Sequence, residues 1–166
     1  MNNLLNELTI TLDELVGRCQ DLLETVTSEK QALLKVSIDD LYAIRKKKEN
    51  LIQEIQTIDV RRFRLLSGLA IMFKVDPKNL TISRLSELVV EPYTEKLFRL
   101  SVTLSNLLKS IQLINKANQS LLNHSISFVR SAVGFLSHLL ASPPVYYRTG
   151  KVSSEDISGR LLSGAA

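Results

Sequence analysis

Apolar residues near the start of the chain recur at alternating steps of four and three: Leu8, Leu12, Leu15, Cys19, Leu22, Val26 and Leu33, with Glu29 on the one remaining beat. A mean step of about 3.5 residues keeps one stripe facing a neighbouring helix, so this spacing predicts a long helix from near Asn3, seated along a bundle or coiled-coil seam. Ser37, three residues before Asp40, reads as a capping box, its hydroxyl accepting an orphan amide while the carboxylate sits at the positive helix end. A second helix is expected from there, with Ile38, Leu41, Ile44, Leu51, Ile55, Ile58, Leu65 and Leu69 as its apolar positions. The short break before it implies antiparallel packing on the first helix, and the segment Lys74 to Pro77 ends it.

Thr81 to Val90 predicts a short helix, after which Glu91 and Pro92 restart the chain, proline being tolerated in a first helical turn. The longest regular pattern follows. Tyr93, Leu97, Leu100, Leu104, Leu107, Ile111, Ile114, Asn118, Leu121, Ser125, Phe128, Ala132, Phe135 and Leu139 hold the four-three alternation throughout. A helix of that extent measures about 70 Å at 1.5 Å per residue. The fold class expected is all-α: an antiparallel helical bundle or coiled coil of three long helices plus one short helix. Beyond Leu140 the pattern stops at Ser142, Pro143 and Pro144, so residues 1–142 are expected to form the bundle and residues 143–166 a flexible C-terminal tail.

The long helix changes character at its midpoint. From Leu122 a second apolar stripe, Leu122, Ile126, Val129, Val133, Leu136 and Leu140, runs beside the first; before it, neighbouring positions include Thr94, Ser101, Ser105, Gln112, Asn115 and Gln119. An apolar face that widens in this way exceeds what one seam requires; either the short helix near Thr81 or a second copy of the chain covers it, or it marks a partner site, most simply for an amphipathic helix. Asn118 stands on a seam beat with Asn115 one turn earlier, where a buried amide fixes helix register at some cost in stability.

Composition narrows the alternatives. At 166 residues and 45% hydrophobic the chain suits one domain, and with 5% aromatics, 6 Gly and 4 Pro it lacks the material of a turn-rich β fold. Cys19 is the single cysteine, so no intramolecular disulfide can form, and the first residues lack the basic region of a secretory signal; a cytoplasmic location is expected. The most apolar window, Ile126 to Ala141, contains Arg130 and His138 and falls short of the ~20 residues of a bilayer span, so no stable membrane insertion is expected.

The net charge of +4 comes from residues 45 to 64, where Arg45, Lys46, Lys47, Lys48, Arg61, Arg62 and Arg64 face Glu49, Glu54 and Asp59. Without interleaved aromatics these bases read as a solvated helix face, and no nucleic-acid partner is expected. Candidate chemistry is equally sparse. His124 and His138, fourteen residues apart, lie about 21 Å from each other along a helix and cannot share a metal. Asp39 and Asp40 fit helix capping and dipole roles. With no Gly-rich phosphate loop, Gly-x-Ser-x-Gly turn or Cys-x-x-Cys pair, the expectation is a protein that is not an enzyme, with no catalytic residue, metal or cofactor.

Four segments in order resemble the FlgN family of flagellar export chaperones: Glu29-Lys30-Gln31-Ala32-Leu33-Leu34; Asp39-Asp40-Leu41 with Lys48, Glu49 and Leu51; Leu113 to Leu122; and Tyr146-Tyr147-Arg148-Thr149-Gly150-Lys151. The resemblance implies a cytosolic protein whose C-terminal helical region holds the terminal helix of an unassembled hook-filament junction protein and carries it to the flagellar export gate. On that reading the client-binding residues are Leu121, Leu122, Ile126, Phe128, Val129, Val133, Phe135, Leu136 and Leu140, and Tyr146 with Tyr147 helps dock on the gate. The basic run at 45 to 48 is not accounted for by the resemblance. Two other readings of the pattern stand beside it: a structural coiled coil that self-associates, as a weak homodimer for instance, through the same stripe, and a basic helical module for nucleic acid.

Overall fold

A computed structural model of the protein describes residues 1–140, 145–146 and 152–153. The described residues form four helices, α1 (Asn2–Lys35), α2 (Ile38–Phe73), α3 (Ile82–Leu88) and α4 (Tyr93–Leu140), and two two-residue strands, β1 (Val145–Tyr146) and β2 (Val152–Ser153). The all-α class and the order of three long helices and one short one are as the periodicity predicts. The chain divides into two compact units, Met1–Leu121 and Leu122–Ala166.

In the first unit α1 and α2 are antiparallel. Glu14, Arg18 and Glu29, ascending α1, pair with Arg61, Glu54 and Lys48, descending α2. The early part of α4 runs parallel to α1: Tyr93 Oη lies 3.4 Å from the Asn2 carbonyl, Lys96 Nζ is 3.0 Å from Asp13, and Asn118 reaches the Val26 carbonyl. α1 therefore packs against both other long helices, which explains why its buried face is broader than one seam. Thr9, Thr11 and Thr25 are buried off the predicted stripe, each hydroxyl donating to a carbonyl three or four residues back, at 2.7–2.8 Å, so that no donor is left unmet.

The core lies toward the end where α1 begins. Leu5, Leu8, Leu12, Leu15 and Cys19 pack with Ile58, Leu65, Leu66 and Leu69 of α2 and with Leu97, Leu100 and Leu104 of α4. Leu80 and Leu85 bring α3 into the same cluster, and the Thr81 hydroxyl caps that helix by accepting from the Arg84 amide at 3.1 Å. Burial pushes the Cys19 thiol above its ordinary pKa, in keeping with a small core residue.

Several local expectations are corrected. Ser37 is the N-cap of α2, but its side chain makes no capping hydrogen bond; the break is built instead from the end of α1. Val36 adopts φ 54°, its amide bonding to Leu33 O while that of Ser37 bonds to Ala32 O, a Schellman arrangement. Lys74 ends α2 in the same way. Ile38 is exposed rather than a seam residue, whereas Leu66 and Ala70, absent from the predicted stripe, are buried. Pro92 lies just ahead of α4 rather than in its first turn, after a cis Glu91–Pro92 bond.

In the second unit, the continuation of α4 from Leu122 to Leu140 is followed by β1 and β2, which pair antiparallel, Val145 with Ser153 and Tyr146 with Val152. The rest of the expected tail, residues 143–144, 147–151 and 154–166, lies outside the described residues.

Candidate functional site

Two features stand out among the described residues: a polar layer inside the first unit, and an apolar helical surface in the second. The layer is made where the non-apolar beats Glu29 of α1 and Asn118 of α4 meet. Asn118, 3% exposed, donates through Nδ2 to the Val26 carbonyl at 2.8 Å and to Glu29 Oε2 at 3.0 Å. Lys48 Nζ donates to both Glu29 oxygens, at 3.1 and 2.8 Å, and to Asn115 Oδ1 at 3.0 Å. Glu29 of α1 thus joins Lys48 of α2 to Asn118 of α4. A buried amide and a largely desolvated ion pair contribute little net stability, the less so because Asn118 Oδ1 is buried with no partner among the described residues, but only one axial alignment of the three helices makes these bonds. The register role expected of Asn118 fits this geometry.

From Leu122 to Leu139 every apolar side chain is exposed. Val129 is 57% exposed, Val133 50% and Leu136 54%, and Leu122, Ile126, Phe128, Phe135 and Leu139 are exposed with them. Both stripes are exposed, including Phe128 and Phe135 on the beats that continue the seam. Leu121 differs from the rest of the predicted set: it closes the first unit and is half-buried. Leu140 is the last residue of α4, Tyr146 belongs to β1, and Tyr147 lies outside the described residues. Arg130 is the one formally charged side chain between Leu122 and Leu140, so the surface offers burial and little electrostatic selection.

The family model described as FlgN protein matches residues 1–154. The chain belongs to the FlgN family. No curated protein and no solved structure gives a significant match. FlgN proteins are flagellar export chaperones that bind flagellar proteins in the assembly of the flagellum, a non-enzymatic role, and this chain carries that role in its general form. Among the described residues there is no cluster of three or more His, Cys, Asp or Glu side chains able to hold a metal, and His124 and His138 are both exposed. None of the described helices is long and apolar enough to cross a membrane.

The match to the FlgN family spans all four segments on which the resemblance rests, and the structure brings three of them together: Glu29, Lys48 and Asn115 with Asn118 are the residues of the polar layer. The basic run is partly explained in the same way. Lys48 belongs to the layer, Arg45 pairs with Glu49 at 2.9 Å, Arg61 with Glu14, and Arg62 with Asp59 at 2.7 Å. Sequence reasoning missed the pairing of Glu29 with Asn118. The signal was present, since each is the one polar residue on an otherwise apolar stretch of seam, but nothing in either helix alone says which beats face each other.

Proposed function

We propose that the Leu122–Leu140 surface holds the terminal helical segment of an unassembled hook-filament junction protein, prevents its premature assembly, and that the chain delivers it to the flagellar export gate. The observation that carries this reading is the exposure of Val129, Val133 and Leu136, three successive turns of one apolar stripe with a second beside it. An amphipathic client helix laid along them would bury its own apolar face in return. Each fully buried aliphatic side chain contributes about 1.5–3 kcal/mol, offset by the ordering of the client. Neither nucleotide nor metal enters such a mechanism. Tyr146 and Tyr147 are proposed to contact the gate, and the cytoplasm, where clients are made, is the proposed place of action.

The test is capture of a hook-filament junction protein by the full chain and by a variant carrying Val129→Asp and Leu136→Asp. Loss of capture with far-UV helicity retained is the expected result; undiminished capture would remove the surface from the mechanism. A second reading rests on the four-three spacing itself, which suits a knobs-into-holes seam between two copies of the chain. Sedimentation over a range of concentrations separates the two: a dimer abolished by the same double substitution supports self-association.

A further inference from the structure

The last part of α4 differs from the seam before it in the breadth of its apolar face as well as in its exposure. At about 100° per residue, Phe135, Phe128, Leu139, Leu136, Val129 and Ile126 fall in that order across about 180° of the helix circumference, and all six are exposed. Ser125 is the one polar side chain within that arc. The opposite half is Asn123, Ser127, Ser131, Gly134 and Ser137 with both histidines, and Arg130 is its one formal charge. A helix seated against a neighbour needs an apolar stripe of about 100°; half a cylinder of exposed apolar side chains is matched by a plane. The charge along this stretch has one sign. From Lys96 to Ser154 the chain has no Asp or Glu, the next acids, Glu155 and Asp156, lying outside the described residues, so no carboxylate in it repels an anionic surface. Arg130 stands about 40° beyond Ile126, at the border between the two halves.

We propose that this half-cylinder docks on the surface of a lipid bilayer bearing anionic headgroups, with Leu122–Leu140 lying in the plane of the interface. The segment is about 28 Å long, and it lies on the bilayer rather than across it, since none of the described helices is long and apolar enough to cross one. Its apolar half enters the boundary between headgroups and acyl chains, Arg130 reaches a headgroup phosphate from the border, and the Ser- and Gly-rich half stays in water. With one cation on the polar half, burial is the main driving force and charge a smaller one. Loosely packed bilayers, whose acyl chains are accessible from the surface, are therefore preferred. This membrane contact stands apart from the client reading, although a client helix on the same face would exclude the bilayer.

The probe is a small vesicle of unsaturated phosphatidylcholine and phosphatidylglycerol, mixed with the full chain and floated on a density gradient. The chain is expected to float with the vesicles, and the pair Val129→Asp and Leu136→Asp should weaken binding by about tenfold or more. Arg130→Glu should weaken it by about three- to tenfold on these vesicles and by less than about twofold on phosphatidylcholine alone. Vesicles should slow amide exchange in residues 122–140 and leave 97–118 unchanged, which also shows that each variant keeps its first unit folded. Flotation that survives the double substitution, indifference to Arg130→Glu on the anionic vesicles, or slowing of exchange outside 122–140 would overturn the proposal. Failure to float by a chain that still captures a hook-filament junction protein would overturn it and leave the client reading intact. A lipid-free dimer that vesicles do not dissociate and the double substitution abolishes would assign the face to a second copy of the chain instead.

Discussion

The two stretches of α4 carry the same periodicity and opposite burial. Between Tyr93 and Leu121 the seam beats Leu97, Leu100 and Leu104 are buried and Asn118 is locked into a polar layer; between Leu122 and Leu139 no side chain is buried, although the apolar stripe is wider there. The contrast teaches that a four-three pattern specifies a face, not what covers it. In the first stretch the face is consumed by folding. In the second it stays exposed, and the helix must there rely on its own backbone preferences, since tertiary packing supplies most helical stability in proteins.

The largest expected effect sets the stretches against each other directly. Leu97→Ala, at a fully buried position, should cost about 3 kcal/mol in chemical unfolding, and Leu136→Ala within about 0.5 kcal/mol, because only the first leaves a cavity. Equal losses would break the comparison. Next comes the polar layer. Glu29→Ala removes the carboxylate that Lys48 and the Asn118 amide share, leaving Lys48 only Asn115 and the amide only the Val26 carbonyl, and should cost about 1–3 kcal/mol in the same measurement. Replacing Glu29, Lys48 and Asn118 together by Leu, Met and Leu should be neutral or stabilising, yet broaden or multiply the amide resonances of residues 110–121 as the helix register becomes less unique. A sharp single spectrum would deny the layer its register role.

A smaller effect concerns the second stretch alone. A Cβ at Gly134 meets nothing within 4 Å, so Gly134→Ala should slow amide exchange around it by the equivalent of about 0.5–1 kcal/mol through backbone preference. Exchange in residues 122–139 of the native chain should be faster than in 97–118. The smallest effect is a pH dependence in the first unit. Burial raises the Cys19 thiol pKa, so the native state holds its proton more tightly than the unfolded chain. Its contribution is complete below the ordinary thiol pKa and declines as pH rises through that value toward the raised one. Thermal melts should show this decline at alkaline pH, and Cys19→Ala should lessen it.

Much of this was legible in the residues. The four helices follow from the spacing of leucines and from the breaks at Val36–Ser37, Lys74–Pro77 and Glu91–Pro92, because helical periodicity is a local property of the chain. The widening of the apolar face at Leu122 was equally plain. Less accessible was the broad buried face of α1: Thr9 and Thr11 look like surface residues until both α2 and α4 are placed beside α1, and their hydroxyls are satisfied within their own helix. The capping box at Ser37 was a plausible pattern that the backbone did not use, since the left-handed Val36 already closes the preceding helix.

By itself, then, the sequence determined where helices begin and end, which face of each is apolar, and that one stretch carries more apolar surface than a seam needs. Tertiary structure alone decided which faces meet. Glu29, Lys48 and Asn118 come from three helices and up to 89 residues apart, and their meeting depends on the axial alignment of the bundle. Periodicity records the direction in which a side chain leaves its helix; it holds no information on the neighbour found there, because that contact is a property of two or three helices at once.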